Sequence, residues 1–134
     1  MSFGDYLEKK VLDHVFGKSA YTPPIIFLAL STTEPADDGT NLTEPDAEHG
    51  YERVETDAAD WNAAAGTNPT VVTNANPLSF PVADDDWGEV GWFALYDAAE
   101  AGNFLGSGAI TVPKTIEADD WAVFGAGQIA VALA

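Results

Sequence analysis

Between residues 90 and 96 the chain reads Val-Gly-Trp-Phe-Ala-Leu-Tyr, and nearly every side chain in it is apolar. A strand with both faces apolar must be covered on both sides, so the stretch predicts the central strand of a sheet. Residues 97–103, Asp-Ala-Ala-Glu-Ala-Gly-Asn, supply turn chemistry, with Gly102 and Asn103 the residues suited to positive φ. Residues 104–110 then return beside the first strand, giving a hairpin. Alternation sends Trp92, Ala94 and Tyr96 to one face and Gly91, Phe93 and Leu95 to the other. Glycines at 91, 106 and 108 leave room for large rings on the neighbouring strand, or mark bulges. Trp92 and Tyr96 suit either a sugar-stacking platform or ordinary core; rings dominate sandwich cores, which favours core.

A chain of 134 residues suits one domain that buries about two-thirds of its unfolded surface. Without cysteine there are no disulfides, thiolate nucleophiles or cysteine zinc sites. No apolar run is long enough to span a bilayer, and the start lacks the basic region and apolar stretch of a signal peptide. A soluble chain not exported by that route is therefore expected. Charge is the outlying property: 22 Asp and Glu against 5 Lys and Arg give a formal −17. With 46% hydrophobic residues this is a folded chain with an acidic surface rather than a disordered one. Such a surface repels nucleic acid and anionic membranes, so neither is expected as a partner. Its self-repulsion is relieved by screening, which at molar salt acts within about 3 Å, so the excess reads as adaptation to high salt.

Residues 1–17 predict an amphipathic helix: Ser2 as cap, then Phe3, Leu7, Val11 and Val15 at every fourth position, with Gly17 as the stop. Tyr21-Thr22-Pro23-Pro24 forces an extended lead into a strand at 25–30. Residues 32–50 form a long acidic loop, expected at the surface and of a length usually functional or mobile. Further strands are expected at 51–56, 70–73, 78–82 (at an edge, because Pro81 cannot donate), 115–116, 121–124 and 128–133, while Trp61 and the alanine-rich segment around it fold back on a sheet edge. The architecture predicted is mainly β: a single-domain β-sandwich, jelly-roll-like, spanning 25–134, with one N-terminal α-helix packed on it through Phe3, Leu7 and Val11.

Catalytic motifs are absent: no nucleophile elbow, phosphate loop, dinucleotide fingerprint or His-Glu-x-x-His. His14 and His49 stand without partner motifs. Paired carboxylates could serve a glycoside hydrolase, but no pair is singled out among so many. The reading is non-enzymatic, with no catalytic residue and no cofactor. Asp37, Asp38 and Asn41 are the candidates for calcium or a monovalent cation; the alternating acids of an EF-hand are missing, so a solvated acidic turn is preferred to a metal site.

Several blocks nevertheless occur together in order: Asp5-Tyr6-Leu7-Glu8, Leu12-Asp13-His14-Val15-Phe16-Gly17, Ala20-Tyr21-Thr22-Pro23-Pro24, Leu28-Ala29-Leu30-Ser31, Gly50-Tyr51-Glu52-Arg53, Ser79-Phe80-Pro81, Trp87-Gly88, Asp97-Ala98-Ala99 with Gly102-Asn103, and Pro113-Lys114-Thr115. By these the chain resembles the small virion proteins of tailed phages and tailed archaeal viruses commonly labelled tail fibre proteins. The resemblance implies a structural protein on the virion exterior, on tail, baseplate or capsid surface, with other virion proteins as partners. It further implies a homo-oligomer, with a trimer favoured, and a host-surface glycan or protein as receptor. Acidic loops where such proteins look rich in Gly and Ser suggest a virus of a salt-loving host. Under that resemblance the attachment interface is expected at the helix end, through Phe3, Leu7, Lys9, Lys10, Lys18 and Tyr21, with a glycan-binding module as the alternative reading.

Overall fold

The computed structural model describes residues 3–133. Its largest sheet has four antiparallel strands in the order β2-β1-β5-β6: β1 is Phe27–Ser31, β2 Val54–Glu55, β5 Gly88–Tyr96 and β6 Phe104–Ile116. The apolar run is thus an inner strand, paired with β1 through Phe27↔Tyr96 to Ser31↔Trp92 and with β6 on its other side. Two ribbons complete the β structure: β3 (Thr70–Thr73) with β8 (Ala130–Leu133), and β4 (Leu78–Val82) with β7 (Trp121–Phe124). The main core lies between the sheet and these ribbons, joining Leu28, Leu30, Phe93, Leu95 and Leu105 to Leu78, Phe80, Phe124 and Ile129. This is the expected β-sandwich with one helix.

The second face of the sheet carries Ala29, Ala94, Tyr96 and Phe104, packed by Phe27 and Leu42. Leu42 comes from residues 32–50, which are therefore no free loop. Thr32 N donates to Thr43 O at 3.0 Å and Thr33 Oγ1 to Asn41 O at 2.5 Å, closing the excursion onto itself, and Pro35 is buried. A turn of 3₁₀ helix, Ala47–His49, follows, capped by the Asp46 side chain. The segment looks like a loop because its polar residues satisfy one another, leaving Pro35, Leu42 and Pro45 to show that it is packed.

The helix, α1, is Asp5–Val15, shorter than the expected 1–17. Ser2 lies outside the described residues, and the N-cap is Gly4, which makes no side-chain cap bond. Gly4 N donates to Leu105 O at 2.8 Å, and Phe3 bridges Gly106, so these residues continue the sheet rather than the helix. Tyr6 and Leu7 pack on the core, whereas Val15 is exposed, because α1 meets β6 through its first turns and runs beyond it.

Other boundaries shift for similar reasons. The strand expected at 25–30 begins at Phe27, and that expected at 51–56 contracts to Val54–Glu55. Residues 115–116 are the end of β6 rather than a separate strand. The hairpin turn places Ala101 and Gly102 at positive φ, not Asn103, whose N and Nδ2 instead donate to Asp97 at 2.7 and 2.9 Å. Trp61 does fold back, bridging Asn74 and donating through Nε1 to Thr56 Oγ1.

Gly91 marks a register shift: Val90 pairs Lys114 and Trp92 pairs Ala109, so residues 110–113 bulge opposite one glycine, Pro113 among them. Gly108 has the other role. A Cβ there would lie 2.5 Å from Phe93 Cζ, a ring buried in the core, whereas nothing lies within 4 Å of a Cβ at Gly91. We therefore expect Gly108→Ala to destabilise the fold by about 1–3 kcal/mol in urea unfolding, as overpacking does, and Gly91→Ala to change it far less.

Candidate functional site

The densest polar arrangement surrounds Arg53, the chain's one arginine. Arg53 is brought under residues 32–50 by the pairing of β2 with β1, and its side chain is 7% exposed. Its Nη2 donates to Glu44 Oε1 at 2.6 Å and Nε to Glu44 Oε2 at 3.2 Å, a two-pronged pair. Nη1 donates to Ala98 O and Ala101 O, at 2.9 and 2.8 Å, within the hairpin turn. The guanidinium carbon stands 3.7 Å from the centre of the Tyr96 ring. Tyr51 OH donates to Glu44 Oε2 at 2.7 Å and accepts from Leu30 N at 3.1 Å. Burial opposes the Arg53 charge, and the Glu44 carboxylate more than offsets it, so the pKa is raised. Burial, reinforced by Glu44, pushes the Tyr51 phenol far above its ordinary value.

Chemically this is a clamp. Both Glu44 oxygens are taken by Arg53 and Tyr51. Beside it lies an open depression of about 390 Å³, lined by Glu44, Glu52, Arg53 and Glu100 among others, with Glu52 and Glu100 exposed at its mouth. The motif Gly50-Tyr51-Glu52-Arg53 is visible in the sequence, but nothing local marks Arg53 as the centre of a buried network. Its signal was that one bidentate donor stands alone among 22 acids.

His49 ties a second junction. Its O accepts from Asp84 N and from Trp87 Nε1, each at 2.9 Å, while Nδ1 lies 2.8 Å from Asp86 O. The Asp86 carbonyl favours the protonated ring, with Asp85, Asp46 and Glu48 adding to it, so the pKa is raised.

The residues nominated from sequence fall in two places. Asp38 Oδ1 accepts from Thr40 N and Thr40 Oγ1, which lowers its pKa, and Asn41 Nδ2 donates to Glu34 O. Asp37 O accepts from Asp5 N. These groups shape the turn and dock it on α1; among the described residues no cluster of three or more His, Asp or Glu is placed to hold a metal ion. At the helix, Leu7 packs on the core, and Phe3, half-buried, bridges Gly106. Lys9 pairs with Asp13 at 2.8 Å, Lys10 stands 5.4 Å from the Tyr6 ring centre, and Lys18 is exposed. Tyr21 N donates to His14 Nδ1, while the Tyr21 OH is buried without a hydrogen-bond partner. Burial, Tyr6 and Asp97 together raise the Tyr21 pKa. Asp97 belongs to the hairpin turn, so the helix and the segment after it sit at the turn end of the sheet.

A family model described as podophage GP4 fiber I protein gp80 matches residues 2–132. The chain belongs to this family. It is therefore a phage tail-fibre-like structural protein of the virion, in line with the resemblance drawn from the motifs. Among curated proteins nothing matches it. Within the fibre fold the Arg53 clamp joins the long segment to the central hairpin.

Two outcomes follow. Arg53→Ala leaves the half-buried Glu44 carboxylate to Tyr51 alone and two turn carbonyls without their donor, and should cost about 2–3 kcal/mol in chemical denaturation; Arg53→Lys, keeping charge but not the fork, should recover only part of it. In an NMR titration the His49 ring should titrate above 6.5. Because that pKa is raised on folding, its contribution to stability is complete below 6.5 and is lost as pH rises through the folded value.

Proposed function

We propose that this protein is a non-enzymatic external component of a halophilic tailed virus, on its tail fibre or baseplate, attached through the helix end. The single observation that carries the reading is the distribution of charge. Residues 1–18 balance Asp5, Glu8 and Asp13 with Lys9, Lys10 and Lys18, so the whole −17 lies beyond them. The helix end is thus the part of the surface able to approach an acidic neighbour, and the acidic remainder is suited to face brine. Glu44 being held by Arg53 and Tyr51 supports a structural role over carboxylate catalysis. The assembly we favour is a homo-oligomer, three copies being the size that the resemblance implies.

A second reading, a host-glycan module, draws on the depression beside Arg53, where the exposed carboxylates of Glu52 and Glu100 could accept sugar hydroxyls. Calorimetry with cell-surface glycans of the host tests it: heat of binding that disappears in Glu52→Ala is the supporting result.

Mass spectrometry of purified, salt-washed particles tests the main reading. The chain should be present at fixed stoichiometry; abundance in infected cells with absence from particles overturns it. Melting temperature should rise with NaCl from low to molar concentration, since screening removes self-repulsion, and a flat response would contradict the adaptation to salt.

A further inference from the structure

Two exposed apolar groups stand out on the described surface, and they differ in the charge around them. At the end of α1, Leu12, Val15 and Phe16 are 58, 69 and 71% exposed. Lys9, Lys10 and Lys18 flank them. The second group is formed by Val82 and Trp121, 52 and 62% exposed, which are directly paired across β4 and β7. Around this pair two acidic turns interlock: Ala83 N donates to Asp120 O, Asp119 N to Ala83 O, and Ala118 N to Asp86 Oδ1. Asp84, Asp85, Asp86, Glu117, Asp119 and Asp120 therefore rim one apolar pair.

The groups cannot meet within one molecule. Helix α1 joins β6 at Leu105 and Gly106, whereas the acidic turns adjoin its other end, where Trp87 N donates to Ile116 O. Measured along β5, whose Leu95 and Gly88 pair Gly106 and Ile116, the seven steps between span roughly 23 Å at about 3.3 Å per residue. One end thus presents apolar side chains flanked by Lys10 and Lys18, with Lys9 paired to Asp13, and the other presents apolar side chains rimmed by carboxylates. Among the described residues the other two cations are engaged elsewhere: Arg53 is buried, and Lys114 lies 5.3 Å from the Phe124 ring centre.

We propose that the partner of each helix end is the acidic end of a second copy of this chain. Leu12, Val15 and Phe16 dock on Val82 and Trp121, with Lys9, Lys10 and Lys18 facing the carboxylates of the 84–86 and 117–120 turns. The contact is heterologous, using different patches on the two copies, so it either closes as a ring or repeats as a filament. Charge fixes its direction, because acidic end against acidic end sets like charges together, whereas the charge-balanced helix end carries Lys10 and Lys18 to meet the carboxylates. This names the partner for the helix end in the reading above and rests on it; its test uses the isolated chain, so failure here leaves the presence of the protein in particles a separate question.

The test is a mixing experiment by analytical ultracentrifugation in chloride at physiological and at molar strength. Wild-type protein should self-associate. Phe16→Asp and Trp121→Asp, both at exposed positions and checked for unchanged circular dichroism, should each raise the dissociation constant at least tenfold. Mixed, they should form a 1:1 dimer and stop there, because each retains one intact patch. Triple reversal of Lys9, Lys10 and Lys18 to Glu should abolish self-association of that variant, and adding Asp84→Lys with Glu117→Lys in the same chain should restore it. Wild-type protein that stays monomeric at both salt strengths overturns the proposal. So does a Trp121→Asp variant that assembles as wild type does, or a mixture in which Phe16→Asp and Trp121→Asp stay apart.

Discussion

Much of this fold depends on where one guanidinium is buried. Arg53 faces the Tyr96 ring, holds both oxygens of Glu44 and accepts no exposure beyond a few per cent, so its desolvation must be offset by partners of fixed geometry. Those partners come from three places in the chain: the long segment 32–50, the turn 97–103 and, through the shared Tyr51 hydroxyl, β1. Four stretches far apart in sequence are thereby fixed relative to one another. With the segment held down, Leu42 covers the second face of the sheet, and β5 becomes the two-sided strand that its composition demands.

The same comparison shows what a sequence can and cannot reveal. β3, β4 and β7 fall on the expected residues because short β-branched or alternating runs bounded by Asn, Pro and Asp report their own geometry. The central hairpin was equally legible, and Gly108 does give room to Phe93 as the spacing suggested. What stayed hidden depends on distant partners. Nothing local tells that Gly4 must be a glycine because Phe104 lies against it, or that residues 32–50 are packed rather than loose. Asn74 is a further instance. It is buried, donating through Nδ2 to Asn76 O and Gly125 O and accepting at Oδ1 from Ile129 N, and so knits β3 to the segment joining β7 and β8. As a lone Asn between two strands it reads as turn chemistry. The candidate site behaves alike: the motif containing Arg53 is visible and its role is not, and of the helix-end residues Leu7 packs on the core, Phe3, Lys10 and Tyr21 are half-buried, and Lys9 and Lys18 are exposed.

In the proposed reading, function follows from an asymmetry of surface rather than from a reactive centre. The interior spends its polar groups on holding segments together, and the exterior separates a charge-balanced helix end from an acidic remainder. A fibre component needs directed contacts between copies and neighbours, and an electrostatically polarised surface provides direction that apolar area alone does not. The price is self-repulsion at low salt.

The account turns on which end of the molecule is buried in the particle. A reconstruction of the intact virion, at a resolution that traces this chain, reads that directly. It should show Leu12, Val15 and Phe16 covered by a neighbouring subunit, with the depression beside Arg53 open to solvent. A map in which the helix end is exposed, and contact is made instead through residues 44–53 and the turn 97–103, would contradict it.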